Sequence, residues 1–195
     1  REVASFENTG DYGQAYLTFP AQSGRFRIAF SCADGRERKA TIREMYLFSE
    51  GTPDLALAHA WQPPCEKADL LFVVAHPDDE ILWFGGAIPY YAGQLGLQVQ
   101  AAYLTCYKPE RRLELLNGLW HCGVRSYPDI ADFEDYNYQR VDYAYRAWGK
   151  ENILSHLVRL LRRYQPEAVV THDLKGEYGH TQHIVCSETC LLYTS

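Results

Sequence analysis

His76, Asp78, Asp79 and Glu80 crowd around one proline at the end of an apolar run, Leu71-Phe72-Val73-Val74-Ala75-His76-Pro77-Asp78-Asp79-Glu80. Neutral imidazole and carboxylate are both good zinc ligands, and their spacing across a turn brings His76 and Asp79 onto one ion. Asp78 then points elsewhere and is free to act as a base. Acids at a helix start also serve as caps, because the free N–H groups and the dipole of the first turn favour negative charge. Capping accounts for one acid but explains neither its neighbour nor the histidine. A catalytic zinc usually has three protein ligands and an open position, so a third ligand is expected at another strand end. The segment Gly176-Glu177-Tyr178-Gly179-His180-Thr181-Gln182-His183 supplies it, since His180 and His183 can face the same side of a helix.

The elements that must position these residues follow from pattern. The run 70–75 has the length and bias of a strand buried on both faces, and Pro77 disfavours a helical His76, so the strand leads into a sharp loop. Further strands are expected at 98–105 and 168–171, and helices near 81–95, 109–122 and 150–164, with another starting near Thr181. Alternating strand and helix argues for a mostly parallel sheet in a Rossmann-like, three-layer α/β domain with its site at the carboxyl ends of the strands. Both motifs fall at such ends. His172, also at a strand end, is expected to line the pocket, whereas His59, His121 and His156 are expected to be structural. Cys186 is expected to be a buried thiol and not a ligand. Glu80 is expected to orient the loop or cap the helix.

AHPDDE after a buried strand, with GEYGHxxH about a hundred residues later, resembles the PIG-L/LmbE family of zinc-dependent de-N-acetylases, which includes N-acetylglucosaminyl-phosphatidylinositol deacetylase. The resemblance covers about 68–186, supported by Gly85-Gly86 and by Arg111 with Glu114 leading to Gly123-Val124. Thr181-Gln182 departs from it, because many members have Pro-Asp there. The resemblance implies that His76, Asp79 and His183 bind one Zn2+, or another divalent transition metal such as Fe2+. It further implies that Asp78 is the general base, that His180 is the acid or oxyanion stabiliser, and that Tyr178 sits beside the substrate carbonyl. The implied reaction is attack of zinc-bound water on the acetamide of an N-acetylglucosamine-type sugar or glycoconjugate. Other readings are hydrolysis of a different amino-sugar amide, and carbohydrate binding without turnover.

Composition is that of a globular chain, 47% hydrophobic, with no apolar run near the roughly 20 residues needed to cross a membrane. A net charge of −6 without a compensating basic cluster argues against nucleic acid as a partner. The six cysteines contain no CxxC pair, so they indicate neither a zinc ribbon nor a redox motif. The segment 127–148 is rich in aromatics and acids and is expected to be an irregular connection that packs its own rings or contributes to a substrate rim.

Upstream, 15–19, 25–32 and 41–48 read as short strands, and residues 1–51 resemble the end of a β-sandwich of the galactose-binding-like type, with 52–67 as a linker to the deacetylase-like domain at 68–189. Both ends are expected to be incomplete. The final Cys190-Leu191-Leu192-Tyr193-Thr194-Ser195 matches a translated transposon end used in preparing sequencing libraries, so 190–195 is expected to be adapter read-through. Compartment and oligomeric state are not legible.

Overall fold

Leu71 to Val74 are each at most 1% exposed, as a strand covered on both faces requires. The structure is a computed structural model that describes residues 59–106 and 108–194, together with 18, 27–32, 34–37, 39, 42, 45–48 and 51. The chain divides into two units, 1–60 and 61–195. In the first, the expected strand at 15–19 lies almost wholly outside the described residues, and 27–32 and 45–48 belong to no assigned strand. The sandwich expectation therefore falls largely outside what is described.

The second unit is built on a sheet of four parallel strands in the order β3-β2-β1-β4, where β1 is Leu70–Val74, β2 Val99–Tyr103, β3 Asp129–Ile130 and β4 Ala168–Thr171. The central strand β1 pairs with β2 in the register Phe72 to Ala101 and with β4 in the register Phe72 to Val170. Side chains alternate across a strand, so β1 feeds two cores. Leu71 and Val73 join Trp148, Ile153, Leu157, Leu160, Tyr164 and Val185 on one face. Phe72 and Val74 join Tyr103, Leu115, Leu116 and Leu119 on the other. The helices supplying these layers are α2 (Pro109–His121), α3 (Val141–Trp148), α4 (Lys150–Tyr164) and α6 (Thr181–Thr194). This is the expected three-layer α/β arrangement.

Two expectations change. The helix expected over 81–95 is broken into α1 (Asp79–Leu82), a run of turns and a π-helical segment Pro89–Gln94. Gly85 and Gly86 weaken the helix there, and Pro89 lacks the N–H that a helix interior needs. A Cβ on Gly85 would lie 2.4 Å from the Ile81 carbonyl oxygen, so the chain crosses itself too closely for any other residue. The connection 127–148 is also more ordered than expected, because it contains β3 and α3. Residues 61–67, expected to end a linker, pack on this unit: the Gln62 N–H bonds Arg125 O, the Tyr127 N–H bonds Gln62 O, and Trp61 lies edge-on to Trp120 and Tyr127.

Candidate metal centre

The carboxyl ends of β1 and β4 lie side by side, which brings the two motifs together. From β1 the chain turns at His76 and Pro77, and the His76 N–H donates to Asp79 Oδ2 at 2.7 Å, closing the loop over the start of α1. Asp78 adopts φ 112°, a conformation unfavourable for a residue with a Cβ. Its N–H is held by Glu80 Oε2 at 2.9 Å, and its carboxylate pairs with Arg111 at 3.0 Å. Arg111 also donates to the Pro77 carbonyl, so one guanidinium holds the two adjacent residues at the apex of the turn. Burial pushes the Glu80 carboxyl up to about 7 against the opposing effect of the Asp78 N–H. Glu80 thus orients the loop, as expected.

From β4 the chain passes through His172 into α5 (Gly176–Gly179) and then α6, which carries His183 at its first turn. Gly176 has φ +67°, and a Cβ there would meet Ile184 at 2.8 Å, so glycine lets the loop lie against this helix. Glu177 also has positive φ, 53°. That turn aims its carboxylate inward, where Oε2 lies 2.7 Å from His183 Nδ1 and Oε1 lies 3.1 Å from His172 Nδ1.

His76, Asp79 and His183 converge. His76 Nδ1 lies 3.2 Å from Asp79 Oδ2 and 3.1 Å from His183 Nε2, while His183 Nε2 lies 3.2 Å from Asp79 Oδ1. All three residues are buried. Ligand atoms about 2.0–2.2 Å from a tetrahedral zinc stand ~3.3 Å apart, close to the separations here. The hydrogen-bond partners outside the cluster assign its protons. A carboxylate only accepts, so His183 gives its Nδ1–H to Glu177 and leaves the Nε2 lone pair facing inward. Gln182 Oε1 faces His76 Nε2 at 2.7 Å and accepts that N–H, leaving His76 Nδ1 inward. Two imidazole lone pairs and a carboxylate then face one another, and a cation satisfies all three. Two imidazoles with one carboxylate suit zinc and also Fe2+.

Electrostatics agree with this arrangement. Burial alone would raise Asp79, but the close approach of the His172, His183 and His76 rings outweighs it and holds the carboxyl well below the usual carboxylate range. Burial likewise opposes the charge on His76, yet the Asp79 carboxylate raises that imidazole overall. The place a metal would fill therefore attracts a proton in competition with it.

The other expected residues are placed as follows. His180 lies beside the cluster, its ring 4.7 Å from that of His76 and 4.5 Å from that of His183. Burial, then the charges of His76 and His183, pull it down to about 4, so it is a neutral imidazole at pH 7. Its Nδ1 is buried without a hydrogen-bond partner among the described residues. Tyr178 is 68% exposed, 5.7 Å from the rings of both His180 and His183 and 5.8 Å from Trp83. Cys186 lies in the core, its Sγ 3.4 Å from Thr171 Oγ1. His156 packs edge-on to Phe133 and takes no part.

His172 is more than a pocket lining. Its ring stacks on His183 with centroids 3.9 Å apart and planes at 11°, and with Asp79 and His183 it forms a group whose candidate ligand atoms lie within 4.8 Å of one another. A second such group is His76, His180 and His183. His172 Nε2 accepts the Ala75 N–H at 3.1 Å, and it also lies 3.2 Å from Asp79 Oδ2. With that lone pair occupied, His172 buttresses the cluster, whereas the inward nitrogens of His76 and His183 face the Asp79 carboxylate. Arg111, Glu177 and Gln182 went unassigned in the sequence reading. The hints were the place of Arg111 in the family's second-helix pattern, the glycines around Glu177 and the spacing of Gln182 between two histidines.

Comparison with known proteins gives a consistent picture. The profile of the GlcNAc-PI de-N-acetylase family, PIG-L, matches residues 71–193. An uncharacterised protein of Acanthamoeba polyphaga mimivirus is 33% identical over 65% of this chain and 57% of its own length. A probable N-acetylglucosaminyl-phosphatidylinositol de-N-acetylase of Schizosaccharomyces pombe is 28% identical over 61% of this chain and 49% of its own. A 1D-myo-inositol 2-acetamido-2-deoxy-alpha-D-glucopyranoside deacetylase of Catenulispora acidiphila is 28% identical over 62% and 46%. The chain thus spans about half the length of the curated relatives it matches.

Proposed function

Because the chain belongs to the GlcNAc-PI de-N-acetylase (PIG-L) family, we propose that it is a zinc-dependent hydrolase removing the N-acetyl group from an N-acetylglucosamine-type sugar or glycoconjugate. The observation that carries this reading is the buried triangle of His76, Asp79 and His183 donor atoms, with Asp78 on the adjoining turn. The substrate class rests on the names of two relatives, which share an N-acetylated glucosamine and differ in what is attached to it.

A divalent ion held by His76, Asp79 and His183 would supply Lewis acidity toward an amide carbonyl and make water acidic near neutral pH. Asp78 accepts a proton from the attacking water as the water oxygen bonds to the acetyl carbon. Arg111 holds that carboxylate in place through their 3.0 Å ion pair. His180, neutral at pH 7, donates an N–H hydrogen bond to the oxygen on which negative charge develops, and the exposed Tyr178 hydroxyl closes the same side. When the C–N bond breaks, the nitrogen takes the proton that Asp78 accepted from water and leaves as a free amine. Acetate is the other product.

The test is acetate release from N-acetylglucosamine and its simple glycosides, using protein stripped of metal and titrated with zinc. Release that returns at about one zinc per chain supports the proposal. Zinc bound without release overturns the assigned substrate, and absence of zinc binding overturns the metal centre.

A further inference from the structure

The two residues between His180 and His183 are where this chain departs from the motif it otherwise follows, and their side chains share a destination. Thr181 and Gln182 are both buried. Thr181 Oγ1 donates to the Tyr138 carbonyl at 2.9 Å, and Gln182 Nε2 donates to the Glu134 carbonyl at 2.7 Å. Both acceptors lie on the irregular segment leading from β3 to α3, which places Asp135 Oδ1 3.8 Å from His76 Nε2. A proline at 181 has no hydroxyl and an aspartate at 182 has no N–H, so the commoner Pro-Asp pair makes neither bond.

The Gln182 amide is oriented by this same contact. The Glu134 carbonyl only accepts, and it already takes the Trp148 indole N–H at 2.8 Å. The Gln182 NH2 must face it, which turns Oε1 toward His76. An amide oxygen only accepts, so His76 carries its proton on Nε2 and presents the Nδ1 lone pair to the cluster. A chain of hydrogen bonds therefore runs from the backbone of the 134–138 segment through one buried amide to a metal-facing nitrogen.

We propose that Thr181 and Gln182 form a clamp that ties the 134–138 segment to the metal centre, with Gln182 as the positioning residue that selects Nδ1 of His76 for the metal. The inference rests on the metal centre proposed above. It makes the segment and the metal site energetically coupled, and coupling is reciprocal: metal binding orders the segment, and loosening the segment weakens the metal.

The experiment pairs zinc affinity, from competition with a chelating indicator, with amide hydrogen exchange of 134–138 in the full chain, with and without zinc. In the wild type, zinc slows exchange in this segment. Gln182→Met, similar in size but unable to hydrogen-bond as an amide, weakens zinc by about 10–100-fold and abolishes that slowing. Gln182→Glu keeps an acceptor for His76 but loses the donor to Glu134, so it loses less zinc affinity than Gln182→Met while zinc no longer slows exchange in the segment. Thr181→Val speeds exchange near Tyr138 and weakens zinc by less than Gln182→Met does, since it loosens the segment without freeing His76. Circular dichroism checks that each variant is folded, and Gln182→Glu carries the test should Gln182→Met not fold. Wild-type zinc affinity in Gln182→Met, or exchange at 134–138 indifferent to zinc in the wild type, overturns the clamp. Failure of the wild type to bind zinc overturns the metal centre itself.

Discussion

Glu177 Oε2 accepts the Nδ1–H of His183 at 2.7 Å, and the other oxygen of the same carboxylate lies 3.1 Å from Nδ1 of the His172 ring stacked on it. One acid thus fixes the tautomer and the plane of an imidazole in the candidate metal centre, a role carboxylates commonly play behind histidine ligands. Glu177→Gln should weaken zinc by about 10–100-fold with little change in fold, because the amide can still accept the N–H but no longer adds negative charge. Competition with a chelating indicator measures it, and an unchanged dissociation constant would show that Glu177 serves only the loop.

Asp78 and Arg111 make the clearest separation of chemistry from metal binding. Asp78→Asn should retain zinc and lower the rate of acetate release by at least about a hundredfold if its carboxylate is the base. Arg111→Met should also retain zinc while lowering kcat, since it frees the Asp78 side chain and removes the donor to Pro77. Equal turnover in wild type and Asp78→Asn would remove Asp78 from the mechanism.

Zinc should stabilise the folded chain, because the ligand triangle exists only when β1 and β4 are side by side. With free zinc at a hundred times its dissociation constant, the gain is about 2.7 kcal/mol. Thermal or urea unfolding of stripped protein with and without zinc measures this. His183→Ala should unfold at a midpoint indifferent to zinc; a zinc-dependent midpoint in that variant would place the ion elsewhere.

Gly123 offers a test of the fold away from the site. It has φ +92°, and a Cβ there would lie 2.6 Å from Gly93 Cα, where only backbone is available to move. Gly123→Ala should cost about 1–3 kcal/mol from the backbone conformation alone, and more from the collision. Urea denaturation with an unchanged slope and a lowered midpoint is the expected result. A wild-type midpoint would mean that the turn after α2 relaxes freely.

The residues that cluster at the candidate metal centre were legible in the sequence because they sit where a local pattern breaks. An apolar run that ends in His76, Pro77 and acids announces a strand with chemistry at its end, and His180 with His183 announces a second. Strand and helix alternation was enough to place both ends on one side of a parallel sheet, and β1, β2, β4, α2 and α4 lie within a few residues of their expected bounds. Pattern failed at 81–95, where apolar spacing suggested one helix. The Gly85-Gly86 pair and Pro89 interrupt it, because backbone freedom and a missing N–H act at single positions that periodicity averages over.

Tertiary structure alone decided how the clustered histidines and Asp79 are held. Glu177 meets His183 and His172 only because a positive-φ turn folds its carboxylate inward. Arg111 reaches Asp78 from α2, and Gln182 links His76 to the carbonyl of Glu134, 48 residues away in the chain. None of these pairings has a sequence spacing that marks it. Composition and periodicity determine which residues are buried and which stand at a strand end, whereas the choice of ligating nitrogen depends on what lies behind each imidazole. That is set by distant segments once the sheet has brought them within hydrogen-bond reach.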